Sequence, residues 1–210
     1  MPKVPRQPKL ARLREAEPDV LVLPRGAVLW RVYFRGGKHP TFWNEFRHVG
    51  PLDSRFDHHD GEEPAYQARS VLYAARSPVT CLGEAFQKTR TIHRSALAGW
   101  LAGFELATDI ELLDLMGGFT TRAGASMGLM SGPRSVSRNW ARGFYDAYPA
   151  IQGLRYPSSM HANRTAVVLT DRAEAAGALP SQPGFHRALA DPAMLEILRN
   201  AAAELGYGLG

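Results

Sequence analysis

Apolar and polar residues alternate through Val28-Leu29-Trp30-Arg31-Val32-Tyr33-Phe34, which predicts a strand. Val28, Trp30, Val32 and Phe34 share one face, and Leu29, Arg31 and Tyr33 share the other. The apolar run Val71-Leu72-Tyr73-Ala74-Ala75 predicts a short buried strand. Behind it, Ser77-Pro78 supplies a helix N-cap and a first helical residue, opening a helix to about Thr89. Residues 104–106, 110–115, 153–158 and 165–169 read as further strands. The spacing of Trp140, Phe144 and Ala147 predicts a helix over about 137–147. Asp191-Pro192 opens a last helix to about 205, striped by Met194, Leu195, Leu198, Ala202 and Leu205.

Three stretches lack such periodicity. Residues 1–18, rich in Pro, Lys, Arg and Glu, predict a mobile or loosely docked leader. Residues 35–70 carry Pro40, Pro51 and Pro64 with His39, His48, His58 and His59, and are long enough to suggest a functional loop or lid. Residues 116–136, rich in Gly, Ser, Thr and Met, read as a second mobile loop. Strands outnumber helices without alternating with them, so the expected class is α+β. A chain of 210 residues favours one domain, here residues 19–210.

Composition narrows the chemistry. Hydrophobic residues at 45% and charged residues at 21% are ordinary globular usage, which argues against general disorder. A single cysteine, Cys81, excludes an intrachain disulfide and a cysteine-rich zinc site. No apolar run approaches the roughly 20 residues that span a bilayer, and the charged N-terminus is unlike a signal peptide. A soluble, cytoplasmic protein without a membrane partner is expected. The net charge of +5 comes from dispersed arginines with no run of five or six, which disfavours direct nucleic-acid binding and suits a phosphate-bearing small molecule. The pair His58-His59 beside Asp57 and Asp60 is expected to be solvent-exposed, not a metal site. Cys81 is expected to be an inert buried thiol. Nucleotide-binding glycine loops, H-E-x-x-H and G-x-S-x-G are all absent from the sequence.

What remains is a set of single residues near element ends: Arg31, Arg55, Tyr73, Glu84 and Ser158. Each has a plain alternative. Glu84 lies off the Val79, Leu82, Ala85, Phe86 face, four residues before Lys88, and an ordinary helix-surface pair would account for it. Arg31 and Arg55 read equally as solvent-facing arginines, Tyr73 as core, and Ser158 as a turn cap with Ser159 beside it. The directions of Asn163 and Arg164 are not fixed by the sequence.

The order Trp30-Arg31, Ser54-Arg55-Phe56-Asp57, Val71 to Ala75, Leu82-Gly83-Glu84-Ala85, then Gly153-Leu154-Arg155-Tyr156-Pro157-Ser158 resembles the RES domain family over about residues 28–172. The family is best known as the toxin half of bacterial RES–Xre toxin–antitoxin pairs. The resemblance implies an ADP-ribosyltransferase-like fold: one RES-like catalytic domain with a central, mostly antiparallel split sheet flanked by helices. It also implies a growth-arresting enzyme that takes NAD as substrate and cleaves its nicotinamide–ribose bond by hydrolysis or phosphorolysis. Inorganic phosphate is then a possible co-substrate, no metal is needed, and an Xre-like antitoxin is the expected partner. By the same resemblance Glu84, Arg55 and Arg31 are catalytic, the two arginines by binding phosphates of NAD, and Tyr73 and Ser158 hold the nicotinamide ribose. The segment between Arg55 and Tyr73 is longer than in compact members, and the tail after about 172 lies outside the resemblance.

The chemistry fits a single acid. Loss of nicotinamide develops oxocarbenium character on the ribose, which a carboxylate stabilises. Because nicotinamide leaves from a cation, it needs no protonating partner. Two alternatives accompany this reading: transfer of ADP-ribose to a protein, which shares the cleft, and a non-catalytic basic binding module.

Overall fold

In the computed structural model, which describes residues 4–161 and 163–210, the predicted strands appear largely where alternation placed them. In chain order the elements are α1 (Leu10–Glu15), β1 (Val20–Leu23), β2 (Val28–Phe34), β3 (Arg47–Gly50), β4 (Ala65–Ala75) and α2 (Pro78–Ala85). There follow β5 (Thr91–Ile92), β6 (Gly99–Glu105), β7 (Ile110–Asp114), α3 (Phe119–Arg122), α4 (Gly128–Ser131) and α5 (Arg134–Ala147). The chain ends with β8 (Gly153–Pro157), β9 (Thr165–Thr170), α6 (Asp171–Ala175), β10 (Phe185–Ala188), α7 (Leu195–Leu205) and β11 (Gly208–Leu209).

The main sheet runs β1-β7-β8-β9-β4-β2-β6-β10, with β3 paired to β4 between Ala65 and Val71. All its neighbours are antiparallel except β7 and β8. The pairing is not uniform. β4 meets β9 from Val71 to Ala75, and β2 meets β6 along its whole length, but β2 and β4 touch only at Trp30 and Ala75. β2 and β4 therefore diverge on either side of that single pair.

Strand alternation sorts the core around this divergence. Leu29 and Tyr33 of β2 join Leu72 and Ala74 of β4, Phe104, Val167 and Leu169 on one continuous face. On the opposite face there are two separate clusters. Val71, Leu154 and Val168 pack beneath Trp140 and Phe144 of α5, and Tyr73 abuts them. Leu101 packs with Leu82 of α2 and Leu198, Ala201 and Ala202 of α7, against Trp30 and Val32. Helices thus cover both halves of this face and leave the gap between them open.

Several expectations need correction. Part of the expected leader is docked: Leu13 is fully buried, Trp140 Nε1 donates to the Pro5 carbonyl at 2.8 Å, and the Tyr148 hydroxyl donates to the Leu13 and Ala16 carbonyls. Residues 35–70 contain β3 and half of β4. Residues 116–136 are not a free loop, because α3 and α4 insert Phe119 and Leu129 into the core. α2 stops at Ala85, short of Thr89, and the last helix begins at Leu195 after a 3-10 turn capped by Asp191. The tail beyond 172 is integral, since β10 extends the sheet and α7 fills one cluster. No helix among the described residues is long and apolar enough to cross a membrane.

Candidate active site

Where β2 and β4 diverge, a cavity of about 200 Å³ opens between the two helical covers. Val32, Tyr73 and Ala75 form its floor. One wall is α2, whose start is fixed by the Ser77 hydroxyl accepting the Thr80 amide at 3.1 Å and by Pro78 in the first turn. The other wall is the loop carrying Ser54 and Arg55, backed by α4 and the first turn of α5.

Glu84 projects from α2 into this cavity and is half-buried. Its Oε1 accepts the Ser158 hydroxyl at 2.5 Å. Burial raises the Glu84 pKa above the ordinary glutamate value, against the pull of that hydrogen bond and of the Arg55 and Arg134 charges. The surface pair with Lys88 does not form, because Lys88 reaches Asp53 instead.

Ser158 differs from expectation in what it serves. Its oxygen also accepts the amides of Met160 at 3.1 Å and His161 at 3.2 Å, so its one donor and both lone pairs are occupied. It orients Glu84. Ser159, its neighbour, is the serine that lines the cavity.

Arg55 lies across the cavity from α2. Its Nη1 donates to the carbonyls of Leu129 at 2.7 Å and Gly132 at 3.0 Å, and to Ser137 Oγ at 2.9 Å. Its Nε and Nη2 make no hydrogen bond among the described residues. Burial lowers the Arg55 pKa, the neighbouring Arg134 lowers it further, and Glu84 opposes both. The Tyr73 hydroxyl donates to the Arg55 carbonyl at 2.8 Å, so Tyr73 both lines the cavity and holds the backbone that bears Arg55. Burial pushes the phenol pKa far up and keeps it protonated.

Arg31 is not brought together with them. The residues described as lining the cavity include Val32 but not Arg31, because strand alternation turns Arg31 to the opposite face. There its Nη1 donates to the carbonyls of Trp43 at 3.2 Å and Glu45 at 2.8 Å, and burial lowers its pKa to about 10. Cys81 lines the cavity as a buried thiol, pushed up to about 12 by desolvation. His58 and His59 are also corrected: they are 2% and 0% exposed, bonded to Asp171 and Asp57. Among the described residues no group of three or more His, Cys, Asp or Glu is arranged to hold a metal.

The sequence reading does not single out the lining residues Asp53, Gln87, Met130 and Arg134. One signal was available. Arg134, Arg138 and Arg142 recur every four residues on α5, and all three reach backbone carbonyls of the loop before β4. Their acceptors are Asp53, Leu52, and His59 with Gly61.

A family model described as RES domain matches residues 28–191, further along the chain than expected. Among solved structures, a chain in the crystal structure of the M. tuberculosis MbcT–MbcA toxin–antitoxin complex is similar, at 18% identity and a TM-score of 0.58. The alignment covers 91% of this chain and 96% of that one. No curated protein matches.

Proposed function

The chain belongs to the RES domain family, and from that premise we propose that it is a toxin that consumes NAD by cleaving the nicotinamide–ribose bond. The observation that carries this reading is the pairing of one acid with one arginine across a cleft. Glu84 is oriented by Ser158 on one side, and Arg55 presents unbonded nitrogens on the other. Ionised Glu84 holds the ribose hydroxyls and stabilises the cation as nicotinamide leaves. Arg55 binds the diphosphate, for which a guanidinium fork is suited. The Tyr73 ring lies against the nicotinamide end. Arg31 supports the wall from behind and touches no substrate.

Size divides the substrate. A cavity of about 200 Å³ is smaller than the roughly 300–1,000 Å³ of pockets that enclose whole drug-sized ligands. Nicotinamide and its ribose occupy it, and the rest of the dinucleotide lies over the mouth. Water or inorganic phosphate takes the ribose carbon. The divergence of β2 and β4 supports an ADP-ribosyltransferase-like fold with a split sheet. Family membership and the likeness to a toxin–antitoxin complex support the reading of an antitoxin partner of Xre type, working in the cytoplasm and covering the cleft.

The test is product analysis after incubating the purified chain with NAD, with and without inorganic phosphate. Released nicotinamide is expected, accompanied by ADP-ribose if water is the acceptor and by its 1-phosphate if phosphate is. NAD unchanged under both conditions overturns the proposal. Label transferred from NAD to protein reassigns the cleft to ADP-ribosylation.

A further inference from the structure

One carboxylate oxygen links the two walls of the cleft. Asp53 Oδ2 accepts Arg134 Nη1 at 2.6 Å and Lys88 Nζ at 3.1 Å. Lys88 follows α2 and Arg134 opens α5, so the contact joins the two walls. Gln87 Oε1 accepts the other terminal nitrogen of Arg134 at 2.8 Å. Asp53, Gln87 and Arg134 line the same cavity as Arg55 and Glu84.

Charge does not balance here by catalysis alone. Three cations, Arg55, Arg134 and Lys88, gather around a site whose proposed chemistry needs one carboxylate and one phosphate-binding arginine. The Asp53 side chain is 60% exposed and its Oδ1 makes no hydrogen bond among the described residues. A single oxygen is shared by two donors that a phosphate would satisfy separately.

We propose that Arg134 and Lys88, together with Arg55, form an anion subsite for a phosphate or diphosphate group, and that the Asp53 carboxylate is its internal stand-in. The inference rests on the NAD-cleaving reading for the identity of the ligand. Exposed ion pairs contribute little, so a more highly charged tetrahedral group displaces the carboxylate by a side-chain rotation. The Lys88 hydrogen bond and the Arg134 charge hold the Asp53 carboxyl below its ordinary pKa, so it competes as an anion at neutral pH. With Asp53 swung out, the cations exceed Glu84 by two charges, which matches the doubly charged diphosphate of a dinucleotide.

The test is calorimetric titration with ADP-ribose and, separately, with inorganic phosphate. It uses the parent chain, Asp53→Asn, Arg134→Gln and the double variant. Asp53→Asn is expected to tighten binding by about threefold to tenfold. Arg134→Gln is expected to weaken binding and to abolish the gain from Asp53→Asn. Lys88→Gln, at a 72% exposed position, gives the same comparison without disturbing α5. Tightening for ADP-ribose alone assigns the subsite to the dinucleotide's diphosphate, and tightening for phosphate assigns it to the attacking phosphate. Affinity for both ligands unchanged or lowered in Asp53→Asn overturns the proposal, as does a gain that persists without Arg134. Turnover is not needed: a chain that leaves NAD intact but shows this pattern refutes the activity and keeps the subsite.

Discussion

Asp53 and Asp57 stand four residues apart on one loop, and their carboxylates are held in opposite ways. Asp53 is mostly exposed and gives one oxygen to two cations, Lys88 and Arg134. Asp57 is wholly buried. Its Oδ2 accepts Arg47 Nη2 at 2.7 Å and the Leu52 amide at 2.9 Å, and its Oδ1 accepts His59 Nδ1 at 2.5 Å and the His59 amide at 3.3 Å. Gly50 lets the hub close, because a Cβ there would lie 2.4 Å from the His59 ring. Between the two aspartates, Phe56 adopts a φ of 60°, a left-handed conformation that costs a bulky residue about 1–2 kcal/mol, and its buried ring packs 4.8 Å from Tyr156. The contrast separates two tasks. The buried carboxylate fixes the backbone that carries Arg55, and the exposed one is free to exchange partners without moving it.

The sharpest way to break this division is Asp57→Ala. It leaves Arg47 and a buried His59 without their acceptor, and a loss of about 3–5 kcal/mol is expected in urea unfolding. A loss below about 1 kcal/mol would put Asp57 in the same class as Asp53. The pH dependence has a definite sign. Burial alone would raise the Asp57 pKa, but His59, Arg47 and the Leu52 amide outweigh it and hold the carboxyl well below the usual range. Its stabilising contribution is therefore complete above the unfolded value of about 3.9 and fades only as pH falls below that.

Glu84→Gln comes next. Turnover of NAD is expected to fall about 10²–10³-fold, the size seen when a group aimed at developing charge is removed. Stability is expected to hold or rise. The raised Glu84 pKa means that ionisation costs the folded state something as pH climbs through the interval above the ordinary glutamate value. The parent's melting temperature should dip across that interval and the variant's should not. A variant that keeps full turnover removes Glu84 from the mechanism.

The fold was legible where periodicity is strong. β2 matches its alternation residue for residue, and the apolar runs at β4, β8 and β9 lie within the strands observed. The loop of Asp53 and Asp57 was not legible, because its order comes from contacts far along the chain. Arg142 donates to the carbonyls of His59 and Gly61, and Arg55 to those of Leu129 and Gly132. Polarity made His58 and His59 look exposed, whereas acidic partners on the loop and on α6 allow them to be buried. Of the candidate residues, Glu84, Arg55 and Tyr73 converge on one cavity. Arg31 does not, although its own alternation already set it on the face opposite Val32. The contact of Ser158 with Glu84 was not legible, because it depends on a turn at residues 158–161 that sequence does not reveal.

Ser158→Ala tests a case between the two aspartates, a buried hydroxyl serving a half-buried carboxylate. Removing a hydrogen bond to a charged group is expected to lower turnover about tenfold. The acid limb of the pH–rate profile should move upward, because the bond that lowers the Glu84 pKa is lost while the burial that raises it remains. An unmoved limb with lower turnover would make Ser158 a structural residue for the Met160 and His161 amides only.

Asp53→Asn carries the smallest expected effect on folding. Its own side chain is mostly exposed in both ion pairs, so removing the charge should change unfolding stability by less than about 1 kcal/mol. Raising salt to 1 M, where the screening length is about 3 Å, should erase even that. The same salt leaves the Asp57 hub almost untouched, since its partners meet it inside the protein. A salt series on the parent and the two single variants therefore reads the contrast directly. Parallel salt responses from Asp53→Asn and Asp57→Ala would mean that both carboxylates anchor the loop, and that the cleft mouth cannot open by a side-chain movement alone.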